Sequence, residues 1–296
     1  MRLKEFVRRG TTHELSEITL AIAATSVKVW ESIPFRARLL AQVNPSGDTQ
    51  KAIDVYSNDL FLNSLIESHC ALEVASEEMS APVKGRGGVS VAMDPLDGSS
   101  NVGTNNALGS IFGFYSERLP CSGRFLSGAL FVTYGSMLTL TMSFGRGVHR
   151  FVALRRGSRY DFELLNADIK IPQNPEVYGF GGPESEWIPP VREFVEALKR
   201  RGMRIRYCGT FVGDFNQVLA RGGIFAYPAL IKKPKGKLRV LFETAPMSYI
   251  AEQAGGYGTD GNGSLLEIEP KKLSETSPAY LGTSELTRAL ERAVSS

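Results

Sequence analysis

Leu15, Ile18, Ile22 and Val29 recur at near-helical spacing, and Thr11 followed by Glu14 fits a capping box. A hydroxyl and a carboxylate three residues apart satisfy each other's orphan amides, so the pattern predicts an amphipathic helix through about Glu31. Phe61, Leu62, Leu65 and Ile66 predict a second helix. From residue 89 to 151 the texture changes to short β-rich runs at 89–93, 110–115, 129–134 and 137–144, divided by glycines. Runs of that length and composition predict strands.

Pro172, Pro175, Gly181, Gly182, Pro183, Pro189 and Pro190 then interrupt the chain. They place a boundary near residue 172, between an N-terminal domain over 1–172 and a C-terminal domain over 173–296. Beyond it the pattern predicts a helix over 191–201 capped by Gly202, strands over 204–208, 224–227 and 238–242, and a helix opened by Pro246 and closed at Gly255 and Gly256. Strands and helices mixed throughout imply a layered α+β or α/β sandwich in which helices cover mixed sheets.

Composition narrows the function classes. The 296 residues are 43% hydrophobic and 22% charged, inside the soluble globular range and far from disorder. A formal charge of +3 from 34 basic and 31 acidic residues is too balanced to imply a nucleic-acid partner. Basic residues cluster at Arg200, Arg201, Arg204 and Arg206, and again at Lys232, Lys233, Lys235, Lys237 and Arg239; either stretch suits an anionic phosphate or a solvated face. Cys70, Cys121 and Cys208 form no CxxC pair, which argues against structural zinc and a disulfide framework. With no leader-like N-terminus and no run of about 18 apolar residues, the expected location is the cytoplasm, without a membrane partner.

Chemistry concentrates in Asp94-Pro95-Leu96-Asp97-Gly98-Ser99-Ser100-Asn101, directly after an apolar strand. Two carboxylates three residues apart can converge on one hard cation, with the Leu96 carbonyl between them. Gly98, Ser99, Ser100 and Asn101 then offer amides and hydroxyls of the kind that cradle phosphate oxygens. Asp97-Gly98 also reads as an ordinary hairpin turn, although Pro95 and the polar run after the glycine argue for more. Further carboxylates stand at Asp48, Asp54, Glu77, Glu78 and Glu243, each of which taken alone could be surface charge.

Ser76-Glu77-Glu78, the Asp94 to Asn101 motif, Arg206-Tyr207-Cys208-Gly209, and the segments 222–228 and 236–246 together resemble fructose-1,6-bisphosphatase of class 1, in the same order and across most of the chain. The Asp94 motif is shared with the wider lithium-sensitive, metal-dependent sugar and inositol phosphatase superfamily, whereas Gly-Lys-Leu-Arg-Val-Leu-Phe-Glu and Arg-Tyr-Cys-Gly are more specific. An inositol monophosphatase places a Trp-Asp pair where this chain has Phe242-Glu243.

The resemblance implies hydrolysis of the 1-phosphate of fructose 1,6-bisphosphate, in gluconeogenesis, by a cytoplasmic homo-oligomer, a dimer or tetramer. It assigns magnesium, as two or three ions with manganese or zinc as alternatives, to Glu77, Glu78, Asp94, Asp97, Glu243 and the Leu96 carbonyl. Asp54 and Glu78 orient and deprotonate the attacking water, and Asp48 completes the site from a mobile loop. Asp97, Gly98, Ser99 and Ser100 touch the reacting phosphate. Tyr207, Tyr227 and Lys237 hold the sugar and the distal phosphate, and Arg206 reaches a neighbouring subunit's site.

The chain departs from that pattern in two places. An Asn-Glu-Gly-Tyr-like stretch of the substrate pocket is replaced around Phe180-Gly181-Gly182-Pro183-Glu184, which leaves sedoheptulose 1,7-bisphosphate as a competing substrate. A Lys-Tyr pair that helps to hold an allosteric nucleotide is replaced by Gly88-Val89, so Thr12, Glu14 and Ser16 lack a cationic partner and AMP is expected to inhibit little. A broader phosphomonoesterase and a non-catalytic sugar-phosphate sensor are the remaining readings.

Overall fold

The computed structural model describes the backbone of residues 1–42 and 48–295, and the side chains of 1–36 and 53–295. The helices are α1 (Leu3–Gly10), α2 (His13–Gln42), α3 (Asp48–Glu67), α4 (Pro189–Arg200), α5 (Phe211–Arg221), α6 (Ala245–Gln253) and α7 (Ser284–Ser295). The strands of the first half are β1 (Ala71–Ser76), β2 (Val83–Lys84), β3 (Val89–Asp97), β4 (Leu108–Tyr115), β5 (Leu126–Tyr134), β6 (Leu138–Ser143), β7 (Val148–Arg156) and β8 (Arg159–Ile169). Those of the second half are β9 (Val177–Phe180), β10 (Arg204–Ile205), β11 (Gly223–Tyr227), β12 (Leu238–Arg239), β13 (Tyr257–Thr259), β14 (Thr276–Ser277) and β15 (Ala279–Gly282).

The first eight strands form one sheet in the order β2-β1-β3-β4-β5-β6-β7-β8, antiparallel except for the β1–β3 pair. Strand β4 is buried along its whole length, because α2 and α3 cover one face of the sheet and α5 and α6 the other. A second sheet, β10-β9-β11-β15-β13, lies beyond α5 and α6 and is closed on its outer side by α4 and α7. Five alternating layers result, and burying both faces of each sheet is what removes the apolar runs of its strands from water.

The chemical motifs stand near the carboxyl ends of β1 and β3. Parallel neighbours put successive carboxyl ends side by side, so Glu77, one residue past β1, donates its amide to the Met93 carbonyl at 3.0 Å immediately before Asp94.

Several expectations need correction. The Thr12 hydroxyl, rather than that of Thr11, accepts the Leu15 amide at the start of α2, while Thr11 donates to Val7 and closes the unforeseen α1. Helix α2 passes Glu31 and continues to Gln42 through Pro34. The strand expected over 204–208 stops at Ile205, and the one over 238–242 stops at Arg239. From Val240 to Thr244 the chain instead makes a wide π turn that runs into α6, so Glu243 sits inside a buried turn and not at a strand end. Apolar side chains at 240–242 pack on the core in either conformation, so composition alone could not separate them.

Candidate active site

Three chain regions converge. Glu77 comes from the end of β1, Asp94 from β3 and Glu243 from the turn before α6, and one carboxylate oxygen from each lies within 4.8 Å of the others. Asp97 is held separately: its Oδ2 accepts the Val212 amide at 2.8 Å, at the amino end of α5. Asp54, Glu77, Glu78, Asp94, Leu96, Asp97, Gly98, Ser99, Ser100, Tyr207, Tyr227, Lys237 and Glu243 all line one cavity of about 220 Å3. Arg206 does not; its guanidinium is exposed and donates to its neighbour's carbonyl, Ile205 O, at 2.8 Å. The Asp48 side chain lies outside the described residues.

Burial dominates the electrostatics. Asp94, Asp97 and Glu243 are each under one-tenth exposed. Burial first, and then the charges of Asp97 and Glu243, hold the Asp94 carboxyl well above the usual range. Burial lifts Glu243 to about 7 against the opposing Arg239 amide, whose nitrogen lies 2.6 Å from Oε2. Asp97 rises less, to about 6, because the Val212 and Phe211 amides stabilise its anion. Asp54 is pushed to about 7 by burial and by Glu78, and its Oδ1 is buried without a hydrogen-bond partner.

Crowded, partly uncompensated carboxylates suit a divalent cation, which needs several anionic oxygens and would relieve their repulsion. The donor set fits a hard metal: all oxygen, with no histidine or cysteine among Glu77, Asp94 and Glu243.

Next to the acids lies a tight backbone cradle. Gly98 has φ +78°, and a Cβ there would fall 2.0 Å from Thr210 Cγ2, so only glycine allows the two segments to close. Ser99 and Ser100 follow in a short 3-10 turn, whose Asn101 donates to Cys208 O at 2.8 Å. The opposite wall is braced by Asp214, whose carboxylate accepts the Cys208 amide at 2.6 Å and the Gly209 amide at 3.2 Å, and by Thr210, which caps α5 by accepting from Gly213. Lys237 lines the same cavity 5.5 Å from the Tyr227 ring centre, and its charge works against the rise at Asp97 and Glu243. Burial pushes the Tyr207 hydroxyl up to about 12, so it stays a hydrogen-bond donor.

Sequence reasoning missed Arg239, Thr210 and Asp214 as site residues. Arg239 ion-pairs with Glu77 and its backbone holds Glu243; the available signal was its place between Lys237 and Glu243. The replaced Asn-Glu-Gly-Tyr stretch packs against two tyrosines of the cavity. A Cβ at Gly181 would lie 2.5 Å from the Tyr227 ring and 3.0 Å from the Tyr207 hydroxyl, so those tyrosines take the space. Glu184 is exposed and faces Lys199 at 3.9 Å.

Two family models match, described as the N-terminal domain of fructose-1-6-bisphosphatase over residues 10–160 and its C-terminal domain over 171–295. The chain belongs to the fructose-1,6-bisphosphatase family. It is 41% identical over 277 residues to a class 1 fructose-1,6-bisphosphatase of Haloarcula marismortui, covering 94% of each chain. It is 39% identical to that of Natronomonas pharaonis, covering 95% of this chain and 98% of the relative. Among solved structures, the holo form of Leishmania major fructose-1,6-bisphosphatase superposes with a TM-score of 0.90 at 29% identity, over 100% of this chain and 98% of that one. The fructose-1,6-bisphosphatase family is metal-dependent, in keeping with the acid cluster. Among the described residues no helix is long and apolar enough to cross a membrane.

Proposed function

We infer that the chain is a phosphoric monoester hydrolase that removes the 1-phosphate of fructose 1,6-bisphosphate, leaving fructose 6-phosphate and inorganic phosphate. The observation that carries this reading is the single cavity in which Glu77, Asp94 and Glu243 adjoin the Gly98–Ser100 backbone and which Lys237 also lines. A cleavage end and a distal anchor are what a bisphosphate needs.

Magnesium is the proposed metal, held by Glu77, Glu78, Asp94, Asp97, Glu243 and the Leu96 carbonyl; when bound it neutralises the transferring phosphoryl group and aligns nucleophile and leaving group. The chain's own residues then divide the work. Asp97, Gly98, Ser99 and Ser100 contact the reacting phosphate and hold it in line. Asp54, with a carboxyl poised near 7, and Glu78 beside it orient the attacking water and receive its proton, in the range where a general base is effective. Asp48 is proposed to complete the site. Tyr207 and Tyr227 hold the sugar, and Lys237 anchors the distal phosphate, adding orientation without touching the bond that breaks. Arg206, turned out from its own cavity, is proposed to complete the site of a neighbouring copy in a homo-oligomer. The division near residue 172 is proposed as the boundary between a metal-bearing and a substrate-binding half, which the separate family matches on either side support.

A substrate panel with magnesium tests the reading. Phosphate release from fructose 1,6-bisphosphate should exceed that from inositol monophosphate and should vanish with EDTA. Equal turnover of the two substrates, or no release at all, overturns it. Sedoheptulose 1,7-bisphosphate belongs in the panel because the Asn-Glu-Gly-Tyr-like stretch is replaced around Phe180-Gly181-Gly182-Pro183-Glu184.

A further inference from the structure

The metal-motif strand carries an irregularity whose repair reaches deep into the sheet. Along the β3–β4 ladder Asp94 pairs with Ile111 and Asp97 with Gly109, so three steps on β3 answer two on β4 and the strand bulges at Pro95-Leu96. A bulge leaves backbone groups out of the ladder, and buried groups of that kind need other partners. The Leu96 amide is taken by Asp94 Oδ1 at 3.0 Å, and Pro95 has no amide to satisfy. The Pro95 carbonyl accepts the Ser110 hydroxyl at 2.7 Å, from the β4 residue opposite the bulge.

Ser110 in turn meets the Tyr134 hydroxyl of β5 at 2.8 Å. A carbonyl can only accept, so the Ser110 proton points at Pro95 and the Ser110 oxygen is left to accept from Tyr134. Ser110 and Tyr134 are both fully or almost fully buried, and Tyr134 also hydrogen-bonds Ser26 of α2. Ser110 thus orients the carbonyl directly, and Tyr134 braces Ser110 from β5. Anchoring the Pro95 carbonyl fixes the peptide that leads into Leu96, and Leu96 lines the same cavity as Glu77, Glu78 and Asp94.

We propose that Ser110 and Tyr134 are positioning residues that hold the Asp94–Asp97 bulge in the shape that presents the Leu96 carbonyl and the Asp94 carboxylate to a divalent cation. The inference rests on the metal assignment above but not on the identity of the sugar. Neither residue touches substrate or the reacting atoms; both act through the Pro95 carbonyl.

The test is direct Mn2+ binding to the full chain by electron paramagnetic resonance, without substrate, for wild type, S110A, S110T and Y134F, alongside steady-state kinetics at saturating magnesium. Loss of one buried hydrogen bond, to the bulge in S110A and to Ser110 in Y134F, should weaken Mn2+ binding about tenfold. S110T, which keeps the hydroxyl, should bind as wild type, and KM for the bisphosphate at saturating cation should stay within about twofold in all variants. Mn2+ affinity unchanged in both S110A and Y134F overturns the proposal, as does a rise in KM with unaltered cation binding. If S110A does not fold, Y134F, which removes a single oxygen, decides alone. Wild-type protein that binds Mn2+ but hydrolyses no sugar bisphosphate refutes the proposed substrate and leaves this inference to stand or fall on the binding data.

Discussion

The Val212 amide donates to Asp97 Oδ2 at 2.8 Å, so a carboxylate from the metal-motif strand lies against the amino end of a helix that begins 114 positions after it, at Phe211. Unsatisfied amides and the helix dipole both favour an anion there, which is why Asp97 stays the most acidic of the deeply buried acids whose values are resolved. Asp97→Asn keeps an oxygen for the Val212 amide but removes the charge. Phosphate release should fall about a hundred- to a thousandfold with the melting temperature little changed. Activity within tenfold of wild type would remove Asp97 from the catalytic set.

Raised carboxyl pKa values carry a stability consequence with a definite sign. A carboxyl whose folded pKa lies above its unfolded value favours the folded state fully at low pH, and that contribution disappears as pH rises through the folded value. For Asp54 and Glu243 the window runs from the ordinary values, 3.8 and 4.5, up to about 7. Metal-free protein should therefore lose thermal stability between about pH 5 and pH 8, and magnesium should raise the melting temperature more at the upper end. Differential scanning calorimetry at both pH values, with EDTA or magnesium, checks this; a magnesium effect larger at pH 5 would contradict it.

Lys237→Ala separates anchoring from bond cleavage. The lysine lies in the cavity beside Tyr227, and its proposed role is to hold the distal phosphate. Losing a charge-assisted contact to phosphate should raise KM roughly ten- to a hundredfold with kcat changed much less. A fall in kcat at constant KM would place Lys237 at the reacting phosphate instead.

Gly98→Ala tests the cradle. The substitution imposes φ +78° on a residue with a Cβ and drives that carbon into Thr210. Destabilisation of about 1–3 kcal/mol in urea unfolding, with a large loss of turnover, is expected. Thr210→Ser, which deletes the clashing methyl and keeps the helix cap, should partly rescue the alanine variant; no rescue would show that the contact does not limit the site.

AMP should inhibit weakly. The groove beside the start of α2 is lined by Thr11, Thr12 and Leu15, with Arg9 and Arg146 as its cations, both exposed and therefore screened. The Thr12 hydroxyl already accepts the Leu15 amide. An activity titration showing half-inhibition at micromolar AMP, about 8 kcal/mol of binding, would refute this.

Local chemistry was legible where it sits on contiguous residues. The Asp94 to Asn101 run announced paired carboxylates followed by small hydrogen-bonding residues, and β3, β4, β5 and β6 were visible as apolar runs between glycines. The parts that escaped depend on neighbours remote in the chain. Arg239 became a site residue only because the turn after β12 brings Glu243 under its amide, and Asp214 only because α5 packs its carboxylate beneath Cys208 and Gly209. Residues 240–242 read as strand because they are buried, yet burial says nothing about backbone conformation when every side of a segment is covered.

Residue types and order by themselves determined the inventory: clustered oxygen ligands, a glycine-serine cradle, and helices and strands mixed throughout. Tertiary structure decided which acids meet. Glu77, Asp94 and Glu243 are separated by up to 166 positions, from residue 77 to residue 243, and share a 4.8 Å neighbourhood because two parallel strands and a helix-leading turn end together where the sheet is buried. Burial there raises the cost of each charge, and that cost, which no linear pattern records, is what makes the cluster a place for a cation.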